Sequence, residues 1–194
     1  MTPDLSQFTD RELAALAQAG RQEAFREFLR RYKAPVYRLV LNNVGDADEA
    51  LDLTQEAFLS AFSALAQFDR NRSFRTWVSR IALNKCRDWA RRRAVRSFFT
   101  RALPIESADG VALDSPGPDV EAEDRAEVMR VQAAVARLPA RLREVLLLRG
   151  FEELSQAEAA DLLQVSEKTI ETRLRRARSR LRDFLGETGR TKQD

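Results

Sequence analysis

One stretch decides the fold of the C-terminal part of this chain: LSQAEAADLLQVSEKTIETRLRRAR, residues 154–178. Ser155 followed three residues later by Glu158 is a capping box, a pair typical of a helix start. Ser166 supplies a second N-cap just after an apolar leucine pair, so the pattern predicts two helices separated by one tight turn. The apolar stripe expected on the second helix consists of Ile170, Leu174, Ala177 and Leu181.

A short helix, a turn and a basic helix with one apolar face are typical of a helix-turn-helix, whose second helix lies in the major groove. The alternative is a surface helix pair with a solvated basic face. The consecutive N-caps and the one-sided charge favour DNA binding. The turn Leu163-Gln164-Val165 has no glycine, so we expect one of its residues to adopt a strained backbone.

Charge is distributed unevenly along the 194 residues, although the net charge is only +3. Nine basic residues and one acid lie between Arg75 and Arg101, and seven basic residues and one acid lie between Lys168 and Arg182. Between Glu106 and Glu127 there are eight acids and one arginine. Two basic blocks separated by an acidic spacer indicate two surfaces that face nucleic acid.

The composition excludes several kinds of site. Histidine is absent and Cys86 is the single cysteine, which excludes an intrachain disulfide and removes the commonest general base and zinc ligand. We therefore expect no catalytic residue, metal or cofactor, and we interpret Cys86 as a small buried hydrophobe. The N-terminus lacks a signal-peptide pattern and no long uncharged stretch follows, so we expect a cytoplasmic protein without membrane insertion of its own.

Helical periodicity without a convincing strand pattern predicts an all-α fold. On the third helix we expect Leu51, Phe58, Phe62 and Leu65 to face the core. The helices expected in the N-terminal part are one capped by Thr9 and closed by Gly20, a longer one interrupted at Pro35 and ended by Gly45, one from Asp46 or Ala47 to Ala66, and one from Ser73 to about Arg93.

The composition changes at residues 102–119, which contain three of the six prolines together with glycine, serine and aspartate. Such a segment is typical of a flexible acidic linker. A helical pattern resumes at Val120–Leu138, Pro139 begins the next helix, and Gly150 ends that helix before the helix-turn-helix. The prediction is two small helical domains joined by the linker: residues 1–100, the linker 101–122, and residues 123–194.

The third predicted helix carries an acidic stripe. Asp48, Asp52 and Glu56 recur every four residues, which places their carboxylates on one face. Alone, such a stripe is more often a solvated face than a binding surface. A metal site is disfavoured, because three carboxylates on one helix do not surround an ion.

The fourth predicted helix carries a row of an aromatic, an amide and three guanidinium groups on one face. Such a row suits phosphate contacts combined with base stacking or base-edge hydrogen bonds. For the tryptophan, burial in the core is an equally good interpretation. The row consists of Trp77, Arg80, Asn84, Arg87 and Arg91.

Three segments of this chain, residues 46–58, 73–89 and 138–182, resemble those of bacterial RNA polymerase sigma factors of the extracytoplasmic-function group. The resemblance covers roughly residues 24–96 and 128–185. It implies an alternative sigma factor that binds core polymerase, recognises −35 and −10 promoter elements, and initiates transcription of a stress- or signal-responsive regulon. The implied partners are core RNA polymerase, through the β′ clamp helices and the β subunit, promoter DNA, and an anti-sigma factor.

The resemblance also assigns roles to residues. The loop before the fourth helix and Asn84 are implied to hold a flipped base, with Trp77 at the upstream edge of the −10 element. On the last helix, the outward N-terminal positions are expected to contact base edges, and Arg173, Arg176 and Arg178 to contact phosphates. For Arg178, Arg180 and Arg182, a solvated position is an equally good interpretation. The expected core-polymerase residues are Asp48, Asp52, Leu53, Gln55 and Glu56; the −10 residues are Phe68, Asp69, Arg70, Trp77, Arg80, Asn84, Arg87 and Arg91; the −35 residues are Ser155, Gln156, Glu167, Lys168, Glu171, Thr172, Arg173, Arg175 and Arg176.

Two other functions remain as alternatives. A free-standing helix-turn-helix repressor or activator needs a dimerisation surface and a palindromic site, and it leaves the acidic stripe unexplained. An enzyme acting on nucleic acid would depend on carboxylates and metal, and no set of carboxylates from separate segments converges in the sequence.

Overall fold

The computed structural model describes residues 4–101 and 122–190, and every regular element in these ranges is a helix. Nearly all of the linker expected at 101–122 lies outside the described residues. The elements are α1 (Asp10–Gln18), α2 (Gln22–Val44), α3 (Ala47–Ser63), a 3-10 helix (Leu65–Gln67), α4 (Phe74–Arg101), α5 (Ala122–Ala136), α6 (Ala140–Gly150), α7 (Gln156–Leu163) and α8 (Glu167–Arg190).

Local capping chemistry sets the first helix boundaries, as the sequence predicts. The Thr9 hydroxyl accepts a hydrogen bond from the Glu12 amide, and the Glu12 carboxylate accepts one from the Thr9 amide. Gly45 ends α2 in the left-handed conformation at φ +74°. The Asp46 carboxylate then accepts the Glu49 amide at 3.0 Å and starts α3.

The expected interruption at Pro35 is wrong, because α2 runs through this residue without a break. Proline lacks the amide that would bond to the carbonyl four residues earlier, a loss that costs about 3 kcal/mol in a helix interior. Phe28, Val36 and Val40 flank the proline and are at most 1% exposed. Their burial against the neighbouring helices offsets the local cost.

The first domain consists of α1 to α4 packed around an aromatic centre. The rings of Phe28 and Phe74 stack with centroids 3.8 Å apart, and both side chains are fully buried. Phe68 packs edge-on against Phe74, which ties the loop after α3 to the start of α4. Cys86 is buried, and this burial raises the pKa of its thiol to about 12, in agreement with the predicted role as a small hydrophobe.

The second domain consists of α5 to α8 and contains the predicted helix-turn-helix. Ser155 and Glu158 form the capping box of α7, and the Ser166 hydroxyl accepts the Thr169 amide at the start of α8. Gln164 adopts the left-handed conformation at φ +55°, so a non-glycine residue makes the turn. The apolar stripe of α8 faces the core, since Ile170 and Ala177 are fully buried and Leu174 and Leu181 pack beside them.

The two domains pack against each other. Leu39 of α2 and Leu83 of α4 are each 1% exposed, and both belong to the apolar cluster that the second domain builds around Leu147 and Leu148. One side of α4 is consequently covered by α6 and α7. This packing sets the surroundings of the residues considered next.

Candidate nucleic-acid interface and docking surface

An exposed face of α3 carries the predicted acidic stripe. Asp48, Asp52, Gln55 and Glu56 are all exposed. Lys85 of α4 lies at one edge of the face, with its ammonium 3.5 Å from the Glu56 carboxylate. The face therefore has a strong negative charge with one cation at its border.

Apolar side chains complete this face, and here two expectations need correction. Leu53 is 2% exposed and packs in the core, so it is not available to a partner. Leu51, expected to face inward, is 41% exposed, and Leu59 is 67% exposed. Leu51, Gln55 and Leu59 follow one another at four-residue spacing beside the acids, so helical periodicity alone was sufficient to place them there.

Trp77 and the loop before α4 form one aromatic unit. The ring of Trp77 is half-buried, and its centroid lies 4.9 Å from that of Phe68 and 5.6 Å from that of Phe74. Phe68 itself is 5% exposed, which corrects its expected role as a residue that contacts DNA. The buried Phe68 ring supports Trp77 instead.

The loop that follows Phe68 is an exposed turn organised by one carboxylate. Asp69 accepts hydrogen bonds from the backbone amide of Asn71 at 3.0 Å and from its side-chain amide at 3.1 Å. The Arg72 amide donates to the Asp69 carbonyl at 2.9 Å. Arg70 is exposed at the tip of this turn. The turn presents polar groups beside the aromatic unit, as a base-binding loop requires.

Arg87 on the face of α4 is engaged by the second domain. Its guanidinium makes a bidentate contact with Glu144 of α6, at 2.7 Å and 2.8 Å, and donates to the side-chain carbonyl of Asn84 at 3.0 Å. Glu144 is 3% exposed, and its hydrogen bonds raise the pKa of Arg87. Asn84 is exposed, and Arg91, further along α4, pairs with Asp88.

Two more arginines near the start of α4 contact carboxylates of the second domain. Arg75 donates to the carboxylate of Glu152 at 2.5 Å, and Glu152 is 6% exposed. Arg72 lies 3.3 Å from Asp161 of α7 at the surface.

Between these ion pairs a cavity of about 300 Å³ separates α4 from α7. Trp77 and Arg80 line it from α4, and Glu158 and Leu162 line it from α7. Of the predicted −10 residues on α4, Arg87 is therefore paired with the second domain, Trp77 and Arg80 line the cavity, and Asn84 and Arg91 are exposed.

The helix-turn-helix presents its polar side chains along two sides of α8. Arg176 lines a groove of about 270 Å³ near the N-terminus of α8, whereas Arg175 lines a groove of about 560 Å³ on another side. The first groove also contains Ser166, Lys168, Thr169, Thr172 and Arg173; the second also contains Glu171, Leu174, Arg178, Leu181 and Arg182.

Two of the expected −35 residues, Ser155 and Gln156, form hydrogen bonds within the helix-turn-helix. The Ser155 hydroxyl caps α7, and the hydrogen bonds from Ser155 lower the pKa of Glu158. The Gln156 amide donates to the Glu167 carbonyl at 3.3 Å, which ties the start of α7 to the start of α8. The Thr172 hydroxyl donates to the Lys168 carbonyl within α8. Glu167, Lys168 and the neighbouring position Glu171 are exposed.

The residues that the structure describes contain no group of three or more histidine, cysteine, aspartate or glutamate side chains placed to hold a metal ion. Within the same ranges no helix is both long enough and apolar enough to cross a bilayer.

Family models and known proteins match both domains. Residues 28–96 match the model of sigma-70 region 2, and residues 128–181 match that of sigma-70 region 4. The chain is 38% identical over 179 residues to the RNA polymerase sigma factor CnrH of Cupriavidus metallidurans, covering 91% of this chain and 94% of that protein. It is 33% identical over 175 residues to the extracytoplasmic-function sigma factor SigW of Bacillus subtilis, covering 86% and 91%.

A solved structure aligns with this chain over both domains. The structure of CnrH in complex with the cytosolic domain of CnrY aligns with a TM-score of 0.67 and 32% identity, covering 92% of this chain and 97% of the other. The likeness extends over the helices before and after the linker.

Proposed function

Because this chain belongs to the extracytoplasmic-function group of bacterial RNA polymerase sigma factors, and so acts in promoter recognition and transcription initiation, we propose that three of its surfaces divide this work. The exposed face of α3 binds core polymerase, α4 with the preceding turn recognises the −10 element, and the helix-turn-helix recognises the −35 element. Sigma factors are DNA-binding regulators of transcription, and we assign no catalytic step to this chain. The proposed location of this activity is the cytoplasm. The proposed domains are residues 1–100 and 123–194, joined by the linker 101–122.

The observation that carries the proposal is the composition of the exposed face of α3. Its acids and two exposed leucines, Leu51 and Leu59, combine charge with apolar area, as protein interfaces do. A free-standing DNA-binding regulator has no use for this face. We propose that it docks on a basic partner surface, the β′ clamp helices of core polymerase, with a further contact to the β subunit, because charge complementarity steers such assembly.

Recognition of the −10 element is assigned to the turn and the exposed side of α4. The proposed contacts are stacking on Trp77, edge hydrogen bonds from Asn84, Asp69 and Arg70, and phosphate contacts by the arginines of α4. Extracting a base from the stack costs a few kcal/mol, and stacking on an aromatic ring together with hydrogen bonds to a polar turn offsets this cost. Arg80, Arg87 and Arg91 supply the phosphate contacts.

The two grooves of α8 support a division of the −35 contacts. Arg175 lies with Glu171 on one side of the helix and is assigned to base edges, whereas Arg173 and Arg176 line the other groove and are assigned to phosphates. Glu167 and Lys168, which are exposed, and Thr172, which is partly buried, complete the base-contacting set. Lys168 and Thr172 share the groove of Arg173 and Arg176, so the division by groove applies to the arginines. Ser155 and Gln156 place the N-terminus of α7 for phosphate contact.

We further propose that the arrangement described here is a closed form of the free chain. Glu144 occupies Arg87, which the −10 element would otherwise contact, while Glu152 and Asp161 hold Arg75 and Arg72 near the start of α4. Binding to core polymerase must therefore separate the domains before both promoter elements are bound. The related CnrH forms a complex with the cytosolic domain of CnrY, and we propose an anti-sigma factor as a partner of this chain as well.

Charge reversal on α3 tests the proposed function. Asp52→Lys combined with Glu56→Lys places like charges at the docking interface, where such juxtaposition costs several kcal/mol. Core polymerase pull-down and promoter-dependent transcription in vitro should both be lost, while the melting temperature stays near wild type because exposed charges contribute roughly 0–1 kcal/mol each. Glu153→Lys combined with Asp183→Lys makes the same change in net charge in the second domain and should still assemble. Normal assembly of the α3 variant would remove the sigma-factor mechanism proposed here.

A further inference from the structure

Helix α1 precedes the segment that matches sigma-70 region 2, which begins at residue 28. It is nevertheless an integral part of the first domain. Leu13 and Ala14 are fully buried, and Asp10 accepts hydrogen bonds from the Tyr32 hydroxyl at 2.6 Å and from Arg31 at 3.3 Å. The capping box at Thr9 fixes the same end of α1. Helix α1 is thus held on α2 in a defined position.

Gln18, the last residue of α1, extends this support to the loop after α3. Its side-chain amide nitrogen donates to the Leu65 carbonyl at 2.9 Å and to the Phe68 carbonyl at 3.1 Å. These two carbonyls lie at the start of the 3-10 helix and at the residue just beyond its end. One side chain therefore fixes the backbone on both sides of this helix.

The position of Phe68 determines two parts of the proposed −10 surface. Its ring contacts Trp77, and its carbonyl immediately precedes Asp69, which organises the exposed turn. A shift of the Phe68 backbone would consequently move both the stacking platform and the polar turn. Displacements of about 1 Å are enough to impair recognition that depends on aligned groups.

We propose that Gln18 is a positioning residue for −10 recognition, which acts on the DNA-contacting groups through the carbonyls of Leu65 and Phe68. This inference rests on the function proposed above for the turn 69–72 and Trp77. Gln18 itself makes no contact with DNA. Its hydrogen bonds set the place at which the turn and the tryptophan meet the −10 bases.

The test compares variants that keep or lose the donor. Gln18→Leu removes the amide at similar size, and Gln18→Lys keeps a flexible donor that can reach both carbonyls. Gln22→Leu is the matched control, because Gln22 is an exposed glutamine at the start of α2. Each holoenzyme is assayed on promoters randomised in the −10 element, with initiation rates normalised to the amount of assembled enzyme.

Gln18→Leu should lower discrimination between the preferred −10 base and its competitors by about fivefold, the effect of one ordinary hydrogen bond. Gln18→Lys and Gln22→Leu should keep wild-type discrimination, and −35 preference should be the same in all of them. If Gln18→Leu lowers the rate equally on every −10 sequence, or leaves discrimination unchanged, the positioning role is wrong. A wild-type holoenzyme without any −10 preference would instead overturn the proposed function.

Discussion

Closure of the two domains over α4 depends strongly on Glu144, so Glu144→Gln is the most informative perturbation of the closed form. The glutamate accepts two hydrogen bonds from Arg87 and is 3% exposed. Glutamine keeps the side-chain volume but loses the charge, and it points an amide donor at a guanidinium that is itself only a donor. At least one of the two contacts is lost.

The magnitude follows from the geometry of the pair. A hydrogen bond to a charged group contributes about 1.5–3 kcal/mol. The Arg87 side chain is 41% exposed, so solvent screening reduces this contribution to about 1–2 kcal/mol. At 1.4 kcal/mol per factor of ten, the ratio of closed to open chains should fall by about 5–30-fold.

The assay is binding of the free protein to a fluorescent single-stranded −10 oligonucleotide, followed by anisotropy. The apparent affinity is the intrinsic affinity scaled by the open fraction, so Glu144→Gln should tighten apparent binding by about 5–30-fold while most chains are closed. Glu153→Gln is the control, because it makes the same change in net charge at an exposed neighbouring residue.

Equal affinities of the Glu144→Gln and Glu153→Gln proteins would refute the reasoning, because the gain would then come from net charge rather than from opening. Transcription by the assembled holoenzyme supplies a second check. In our proposal the domains are already separated in that state, so Glu144→Gln should transcribe at the wild-type rate.

Two further predictions concern α8 and the N-terminal domain. Across a library of −35 sequences, Arg175→Ala should weaken promoter use by about 1–3 kcal/mol at one or two −35 positions only. Arg176→Ala should weaken all −35 sequences alike and reduce the salt dependence. Identical behaviour of the two variants would contradict their assignment to different grooves. Hydrogen bonds from Arg30 and Arg31 lower the pKa of Glu27 to about 2. The ionised carboxylate therefore stabilises the fold above pH 4.5, and this stabilisation is lost as the pH falls towards 2. In an acid titration, Glu27→Gln should lose less stability than the wild type between these two pH values, and a pH profile equal to that of the wild type would contradict this role of Glu27.

Helix boundaries could be predicted because they depend on neighbours in the sequence. The caps at Thr9, Ser155 and Ser166 each satisfy a backbone amide three residues away, and the structure contains all three. The left-handed residue at Gly45 follows from the same local chemistry. These features need no knowledge of tertiary packing.

The errors occur where packing between helices decides the outcome. Pro35 disfavours a helix locally, but buried neighbours on both sides keep α2 continuous. Leu51 and Leu53 are the same residue type two positions apart, so composition does not tell which one is buried. The spacing of the acids predicted the exposed face correctly, and applying the same four-residue spacing from Gln55 to Leu51 and Leu59 would have excluded Leu53.

The arginines of α4 show why the interface between the domains was beyond sequence analysis. A guanidinium forms the same bidentate contact with a phosphate and with a carboxylate, so the row on α4 predicts an anionic partner without identifying it. In the closed form Glu144 provides that partner for Arg87, and Glu144 is 3% exposed. Arg87, one of the residues that predict DNA binding, is therefore also a residue that holds the second domain. Since its guanidinium cannot bind Glu144 and a phosphate at once, our proposal is that domain closure and −10 binding compete.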